Sequence, residues 1–442
     1  MKVHFLGIGG SGASAAAAIA KAQGYQISGC DKSLNNEFTI NFDPKILLEG
    51  HSPDHLEGVD ILAVTPAIYS LDPENPELIT AQDKSIEVLT WQEFMGKYLE
   101  KEKFVIAVCG THGKSTTTAM IGLLLEDTGL DPTVELGAIV PKWKSNYRIP
   151  SRHPERSEGS IKYFVTEADE FNDNFLSTTP NITVVTNIEM DHPEYFADFE
   201  AVKQSFSKFL RSSEEKIIAN MSDSGIKEVL REHPKGGSLV IDYSKKLINF
   251  PLQIPGDFNI LNASAAYQVG IALGIDPEKI KKSLSSYTGL GRRFEYLGEF
   301  QEAQIYSDFA HHPTEIKVTM QAARVKFPDS RILLIYQPHM FSRTKALFDD
   351  FVKIFQEIPV DKIFMIDIYP SREIDTGEVS SKQLVDSINK SSVSHIGRGL
   401  DAQGGGTQTL EKIKPEIKKG DIVFFMGAGD SDKLARELIS KE

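Results

Sequence analysis

GTHGKST, residues 110–116, follows directly on the apolar run FVIAVC at 104–109. The run reads as a buried strand, the glycines as a turn, and the residues beyond as the start of a helix. Gly110 and Gly113 let backbone N–H groups converge on phosphate oxygens, and a helix N-terminus favours an anion there. With Thr111 and His112 they form a phosphate loop in which Lys114 adds charge to the terminal phosphates. The hydroxyl of Ser115, followed by that of Thr116, suits Mg2+, a hard cation that takes oxygen donors. The glycines stand closer together than in the common GxxxxGK[ST] spacing, and a plain glycine turn before a helix is the competing reading.

A second glycine turn lies near the start. GIGGSG at 7–12 sits between the strand-like VHFLG at 3–7 and an alanine-rich helix, and Asp31 closes the next strand, QISGCD at 26–31. This satisfies GxGxxG, whose physics is a close approach to phosphate with a polar partner further on, so a dinucleotide and a nucleotide-sugar diphosphate serve equally. The stretch from Lys2 to Ala20 also has the look of a secretory leader, but its early glycines and serines break the apolar core. Strand, turn and helix is the better reading.

The 442 residues suggest two to four domains, at about 100–200 residues each. Hydrophobic residues make up 40% and charged residues 25%, the usage of a compact globular protein rather than a disordered or membrane-spanning chain. A net charge of -14 lacks the clustered Lys and Arg that duplex binding needs. Only Cys30 and Cys109 occur, so a disulfide framework is not expected and a reduced cytoplasmic compartment fits.

Short apolar runs alternate with helical patterns throughout, the mark of α/β architecture. Runs at 3–7, 26–31 and 59–65 predict a Rossmann-like domain over 1–98. Runs at 104–109, 162–167, 182–187, 216–219 and 238–242 predict a central phosphate-loop domain over 99–291, and those at 303–307, 331–336, 362–367 and 421–426 a C-terminal Rossmann-like domain over 292–442. Residues 141–160, polar and rich in Pro, Ser and Arg, read as an exposed loop.

Further motifs follow predicted strands. EADEFND at 167–173 and TNIEMDH at 186–192 supply carboxylates and His192 on the edge of the sheet that carries the phosphate loop, where Glu167 and His192 suit divalent ions. Solvated acidic loops are the bland alternative. PGDFNILNAS at 255–264 puts Asn259 and Asn262 on one helix face, able to grip an adenine edge or merely to cap. GRRFE at 291–295 offers Arg293 to a transferring phosphoryl group. DFAHHPTE at 308–315 and QPHMFSRT at 337–344 present Asp308, His311, His312, His339 and Arg343; neither has zinc spacing, so nucleotide and substrate contacts are preferred.

In this order, GIGGSG, GTHGKSTTT, EADE, TNIEMDH, GDFNILNAS, GRRFE, DFAHHPTE and QPHMFSRT resemble the Mur ligases over nearly the whole chain. The resemblance implies three domains, ATP and Mg2+ as cofactors, and UDP-N-acetylmuramate and L-alanine as substrates in peptidoglycan precursor synthesis. The lactoyl carboxylate is phosphorylated by ATP, and the amine attacks the acyl phosphate to leave an amide. Gly7, Gly9, Gly10, Ser11 and Gly12, with Asp31, Ser33, His51 and Thr65, would hold the UDP-sugar. Lys114 would bind the terminal phosphates, Ser115 and Glu167 one Mg2+ and His192 a second. Asn259 and Asn262 would hold the adenine side, Arg293 and Asp308 phosphate and ribose, and His339 and Arg343 the amino acid.

Met340 stands where alanine-adding members have arginine, Phe258 replaces a usual histidine, and 141–160 differs from the family's shorter stretch. A thioether does not pair with a carboxylate as arginine does. The branch that adds a murein tripeptide is therefore the second reading. An NAD-dependent oxidoreductase or an ATPase driving motion would each use only one of the two glycine loops.

Overall fold

The computed structural model describes residues 1–151, 161–231, 237–371, 373–397 and 407–440. They form two compact units, the first comprising Met1–Met190, Asp198–Leu252 and Ile260–Tyr287, the second Asp191–Ala197, Gln253–Asn259 and Thr288–Glu442. The first unit carries two sheets and the second carries one.

In the N-terminal sheet the strands Leu47–Glu49, Gln26–Asp31, Lys2–Leu6, Ile61–Val64 and Glu87–Thr90 lie side by side in that order, all parallel. Chain order reverses between Lys2–Leu6 and Ile61–Val64, so a crevice opens beyond the carboxyl ends of those two strands. The helix Ser11–Ala22 (SGASAAAAIAKA) buries Ala13, Ala15, Ala16, Ala17, Ala18 and Ala20. Alanine favours helix and its single methyl lets other elements approach the helix on several sides. One neighbour is unexpected: the helix packs against Thr133–Val140 and Ser145–Arg148 of the second sheet.

That second sheet runs Leu239–Asp242, Lys216–Ala219, Ile182–Val185, Phe104–Cys109, Tyr163–Glu167, Thr133–Val140, Ser145–Arg148. Every pairing is parallel except the last. The expectation of an exposed loop over 141–160 is corrected here, because Ser145–Arg148 is a strand whose Ser145, Asn146 and Arg148 are buried. Its burial is polar: Asn146 Nδ2 donates to Ser11 O at 2.7 Å, and Arg148 Nη1 donates to Pro132 O at 2.5 Å and pairs with Asp131. Hydrophobic period cannot announce a strand satisfied in this way. Residues 152–160 of that stretch lie outside the described residues.

The sheet of the second unit runs Glu295–Phe300, Ala303–Asp308, Ile422–Met426, Ile332–Tyr336, Lys362–Ile366, Val393–Gly397, antiparallel at the first pair and parallel thereafter. Helices cover both faces, so the central runs ILLIY and IVFFM are apolar at every position rather than alternating. Leu334, Tyr336, Phe424 and Met426 join one core, while Leu333, Ile335, Val423 and Phe425 join the other. Among the described residues no helix is long and apolar enough to cross a membrane.

The two sheets of the first unit are knit at Gly96, where a Cβ would fall 2.0 Å from the carbonyl oxygen of Ser177. Backbone cannot retreat as a flexible side chain can. Gly96→Ala is expected to cost about 1–3 kcal/mol by overpacking, read as a lower urea midpoint; an unchanged midpoint would contradict this close approach.

Candidate active site

Phe104–Cys109, flanked by Ile182–Val185 and Tyr163–Glu167, aligns so that Val108 is level with Glu167 and Cys109 with Val185. Three loops thus leave one edge of one sheet. Gly110 has φ +134° and Gly113 φ +81°, a region that side-chain-bearing residues rarely adopt. A Cβ at Gly110 would also meet Thr186 Oγ1 at 2.1 Å, and one at Gly113 would meet Asn262 Oδ1 at 2.6 Å. The helix Lys114–Asp127 begins immediately, so the loop's N–H groups lie at its N-terminus, as the motif predicts.

The loop is held by residues to which the sequence assigns no role. Asn187 accepts from His112 N at 2.8 Å and donates through Nδ2 to His112 O at 3.0 Å, while its own carbonyl accepts from Thr111 N at 3.1 Å. Thr186 Oγ1 donates to His112 O at 2.6 Å, and Glu189 N donates to Thr111 Oγ1 at 2.9 Å. The only earlier signal was that TNIE follows a strand.

Charge is arranged around Lys114 and Ser115. Lys114 Nζ lies 2.7 Å from Glu170 Oε2 and 3.6 Å from Asp169 Oδ1. Burial works against its charge, but Glu170 and Asp169 outweigh it and hold the ammonium well above its ordinary range. Glu170, 2% exposed, is a site residue that the expectations omitted. Ser115 Oγ donates to Glu167 Oε1 at 2.9 Å, and Gly137 N donates to Glu167 Oε2 at 2.7 Å. Ser115 and Glu167 are therefore together, and a hydroxyl beside a carboxylate is a donor set that fits Mg2+. Behind them Glu135 is buried and accepts from Thr166 Oγ1 at 2.8 Å; burial and the Glu167 carboxylate push it up to about 8.

The N-terminal crevice gathers most of its expected residues. Gly7 has φ +87° and a Cβ there would lie 2.5 Å from Thr65 Cγ2. Gly9 N donates to Asp31 Oδ2 at 3.0 Å and Ser33 N to Asp31 Oδ1 at 3.2 Å, so Asp31 braces the glycine turn with both oxygens. Gly10 is the N-cap of the helix that Ser11 opens, and a Cβ at Gly12 would lie 2.1 Å from the Trp91 ring. His51 departs from the group: its Nδ1 is 3.3 Å from Cys30 Sγ, in a polar cluster around buried Glu77.

In the second unit, Arg343 is 2% exposed and donates from Nε and Nη2 to Asp191 Oδ1 at 3.1 and 2.9 Å, with Nη1 3.3 Å from His339 Nδ1. Arg343, expected on the amino-acid side, is here a buried partner of Asp191. Burial would raise Asp191, but Arg343 and His192 hold it well below the usual carboxylate range. His192 has φ +54° and its Nδ1 lies 3.2 Å from Glu194 Oε1. His339 stacks on Tyr369 with ring centroids 5.8 Å apart. Met340 is buried and its N–H donates to Tyr369 O at 2.9 Å, so its thioether packs inside rather than standing in for a substrate-facing arginine.

Arg293 lies over the Phe309 ring at 5.0 Å, with Nη1 3.7 Å from Glu315 Oε1. Asp308 accepts from Phe294 N and Ala310 N, each at 2.8 Å. Burial lifts it to about 6 even with Arg293 nearby. It straps the segment that carries Arg293, where a ribose contact was expected. Asn259 and Asn262 share the helix Asp257–Ala272; Asn259 Nδ2 donates to Pro255 O at 2.7 Å, and Phe258 packs on Gly256. The His312 side chain caps the helix Pro313–Lys326, and Glu315 accepts from His311 N and His312 N.

The sequence matches the model of the Mur ligase family, catalytic domain, over 2–103, the Mur ligase middle domain over 108–246, and the Mur ligase, glutamate ligase domain over 292–429. A protein of Clostridium tetani named UDP-N-acetylmuramate–L-alanine ligase is 36% identical over 457 residues, covering 97% of this chain and 96% of its own. This chain belongs to the Mur ligase family. The crystal structure of a UDP-N-acetylmuramate-alanine ligase from Thermotoga maritima superposes with a TM-score of 0.78 at 24% identity, over 100% of this chain and 99% of that one. A murein peptide ligase from Psychrobacter arcticus gives 0.72 at 22%, over 100% and 98%. At those identities the structures speak for the three-domain α/β Mur ligase fold. Membership displaces the oxidoreductase and motor readings, since neither uses both glycine loops.

Two outcomes test the geometry of this Mur ligase. Asn187→Ala removes both amide contacts to the His112 peptide, leaving that of Thr186, and is expected to weaken ATP binding about tenfold or more, with about 1–3 kcal/mol of lost stability, measured by calorimetric titration and urea unfolding. Glu135 is raised in the folded chain above its ordinary 4.5, so its contribution to stability is complete below that value and is lost as pH rises through about 8. Glu135→Gln should therefore flatten the decline in unfolding free energy across that window, leaving the part due to Glu100, which burial also lifts to about 8. An unaltered slope would contradict a protonated Glu135.

Proposed function

We propose that this Mur ligase joins L-alanine to the lactoyl carboxylate of UDP-N-acetylmuramate with consumption of ATP. The observation that carries the reading is the Lys114, Ser115 and Glu167 constellation on a clamped phosphate loop, in a chain matched end to end by alanine-adding relatives.

A carboxylate is a poor electrophile until phosphorylation supplies a leaving group. Glycine-loop N–H groups and Lys114 orient the nucleotide, Lys114 exchanging Glu170 and Asp169 for phosphate oxygens as ATP binds. Ser115 and Glu167 would hold Mg2+, which neutralises phosphate charge when bound. The sugar carboxylate attacks the terminal phosphoryl group and ADP leaves; the alanine amine then attacks the acyl phosphate, and phosphate and the amine's proton leave as the amide forms. Positive charge preorganised where negative charge develops is the main source of rate.

Our assignment keeps Gly7 to Gly12 with Asp31, Ser33 and Thr65 for the UDP-sugar, and Gly110 to Thr116 with Asn262 for ATP, adding Glu170 and Asn187. His192, Asn259, Arg293 and His339 remain candidates for the second ion, the adenine side, the phosphoryl group and the amino acid. Asp308 and Arg343 take bracing roles. The domains are assigned as 1–98, 99–291 and 292–442, and the cytoplasm, which holds ATP and nucleotide-sugars, as the place of action.

Purified protein incubated with ATP, Mg2+, UDP-N-acetylmuramate and L-alanine should release ADP and phosphate and yield one new amide. Glycine, serine and the murein tripeptide run in parallel; turnover with the tripeptide alone would move the enzyme to the peptide-adding branch, and none with any amine would sink the ligase reading. Lys114→Ala should lower turnover about 10²–10³-fold or more while UDP-sugar binding persists.

A further inference from the structure

One cluster in the N-terminal sheet has no task in amide formation. His4 on Lys2–Leu6, Cys30 on Gln26–Asp31, His55 in the turn Pro53–Leu56 and Glu77 in the helix Pro76–Asp83 each present one ligand atom, all within 4.8 Å of one another. Glu77 Oε2 lies 3.2 Å from His4 Nε2, Glu77 Oε1 2.9 Å from His55 Nδ1, and Cys30 Sγ 3.2 and 3.3 Å from the two carboxylate oxygens. Zn–N bonds of about 2.0–2.1 Å and Zn–S bonds of about 2.3 Å put tetrahedral ligand atoms roughly 3.3–3.7 Å apart. The separations to Glu77 fall at or just below that range, and the other ligand pairs lie within 4.8 Å.

A second observation points to a ligand. His4 Nε2 is fully buried and makes no hydrogen bond, although it is close to Glu77. The other nitrogen, Nδ1, is 2.8 Å from Ser28 Oγ. When Nδ1–H donates to that hydroxyl, the lone pair of Nε2 faces a carboxylate in a dry site, an arrangement that a cation between them would relieve. An access route exists: the His51 and His55 side chains are 12% and 15% exposed, against none for His4, Cys30 and Glu77.

We propose that His4, Cys30, His55 and Glu77 form a structural site for Zn2+, a borderline-soft cation suited to mixed sulfur, nitrogen and carboxylate donors. Binding releases the Cys30 proton to solvent as the thiolate takes its place on the ion. The backbone makes the site more than a rivet. Cys30 O accepts from Gly7 N at 2.8 Å and from Ile8 N at 3.1 Å, so an ion on Cys30 steadies the residue against which the glycine turn is hung.

Chelator-treated full-length protein, without nucleotide, is titrated with Zn2+ and in parallel with Co2+. About one Zn2+ should be retained per chain after desalting, with a rise in melting temperature, and Co2+ should show a thiolate charge-transfer band. That band should vanish in Cys30→Ala and persist in Cys109→Ala, which separates this cluster from the oxygen-lined Mg2+ site and from the other thiol. Zinc-edge X-ray absorption on the unmutated protein needs no folded variant and should show one sulfur in the shell. No retained zinc, a shell of nitrogen and oxygen alone, or a band surviving Cys30→Ala overturns the site. Ligase turnover is not the readout, so this result and the amide assay fail independently.

Discussion

The phosphate loop depends on a clamp from the neighbouring strand end. A loop built on two glycines in conformations with positive φ has little reason of its own to stay in one shape, because the freedom that lets it fold also lets it wander. Asn187 removes that freedom by gripping the N–H and the C=O of His112 with a single side-chain amide. The parallel pairing of Phe104–Cys109 with Ile182–Val185 brings that amide level with the loop. The remaining polar groups of the site are oriented around a backbone that does not have to be reorganised when phosphate arrives.

The electrostatics are a holding pattern of the same kind. An ammonium buried without partners would shed its proton. Here Glu170 and Asp169 keep Lys114 charged, while Glu167 is directed to Ser115 and to the N–H of Gly137. The four carboxylates of this corner are sorted by environment: Glu170 neutralises, Glu167 faces Ser115, Asp169 is partly exposed, and Glu135 is buried deeply enough to stay protonated near neutrality. The second unit repeats the device at Arg343 and Asp191, where removing either partner would strand the other charge in a dry place.

The strands found in the structure but not from the sequence lie mainly at sheet margins: Leu47–Glu49, Glu87–Thr90, Ser145–Arg148, Glu295–Phe300 and Val393–Gly397. A margin strand is half solvated and mixes polar with apolar residues, so it lacks the unbroken run that identified ILLIY and IVFFM. Ser145–Arg148 is the extreme case, buried through amide and guanidinium contacts. Asn187 and Glu170 escaped for a related reason. Both lay inside motifs already noted, but which residue of a polar loop points at a partner depends on the loop's path, which periodicity does not describe.

The order and spacing of the chain's motifs by themselves determined where the two glycine turns fall between strand and helix, that Lys114 and Ser115 open the helix after the second, and that the architecture is layered α/β. Those features are local, written in glycines, in a cation next to them, and in apolar runs of strand length. Tertiary structure decided the roles of residues far apart in sequence: Asn187 on the loop of residues 110–113, Arg343 on Asp191, Asp31 on Gly9, and Met340 in the interior. It also gathered His4, Cys30, His55 and Glu77, which span 74 residues of sequence, into one cluster. Their chemistry exists only because parallel strands and short helices bring four distant side chains within bonding reach.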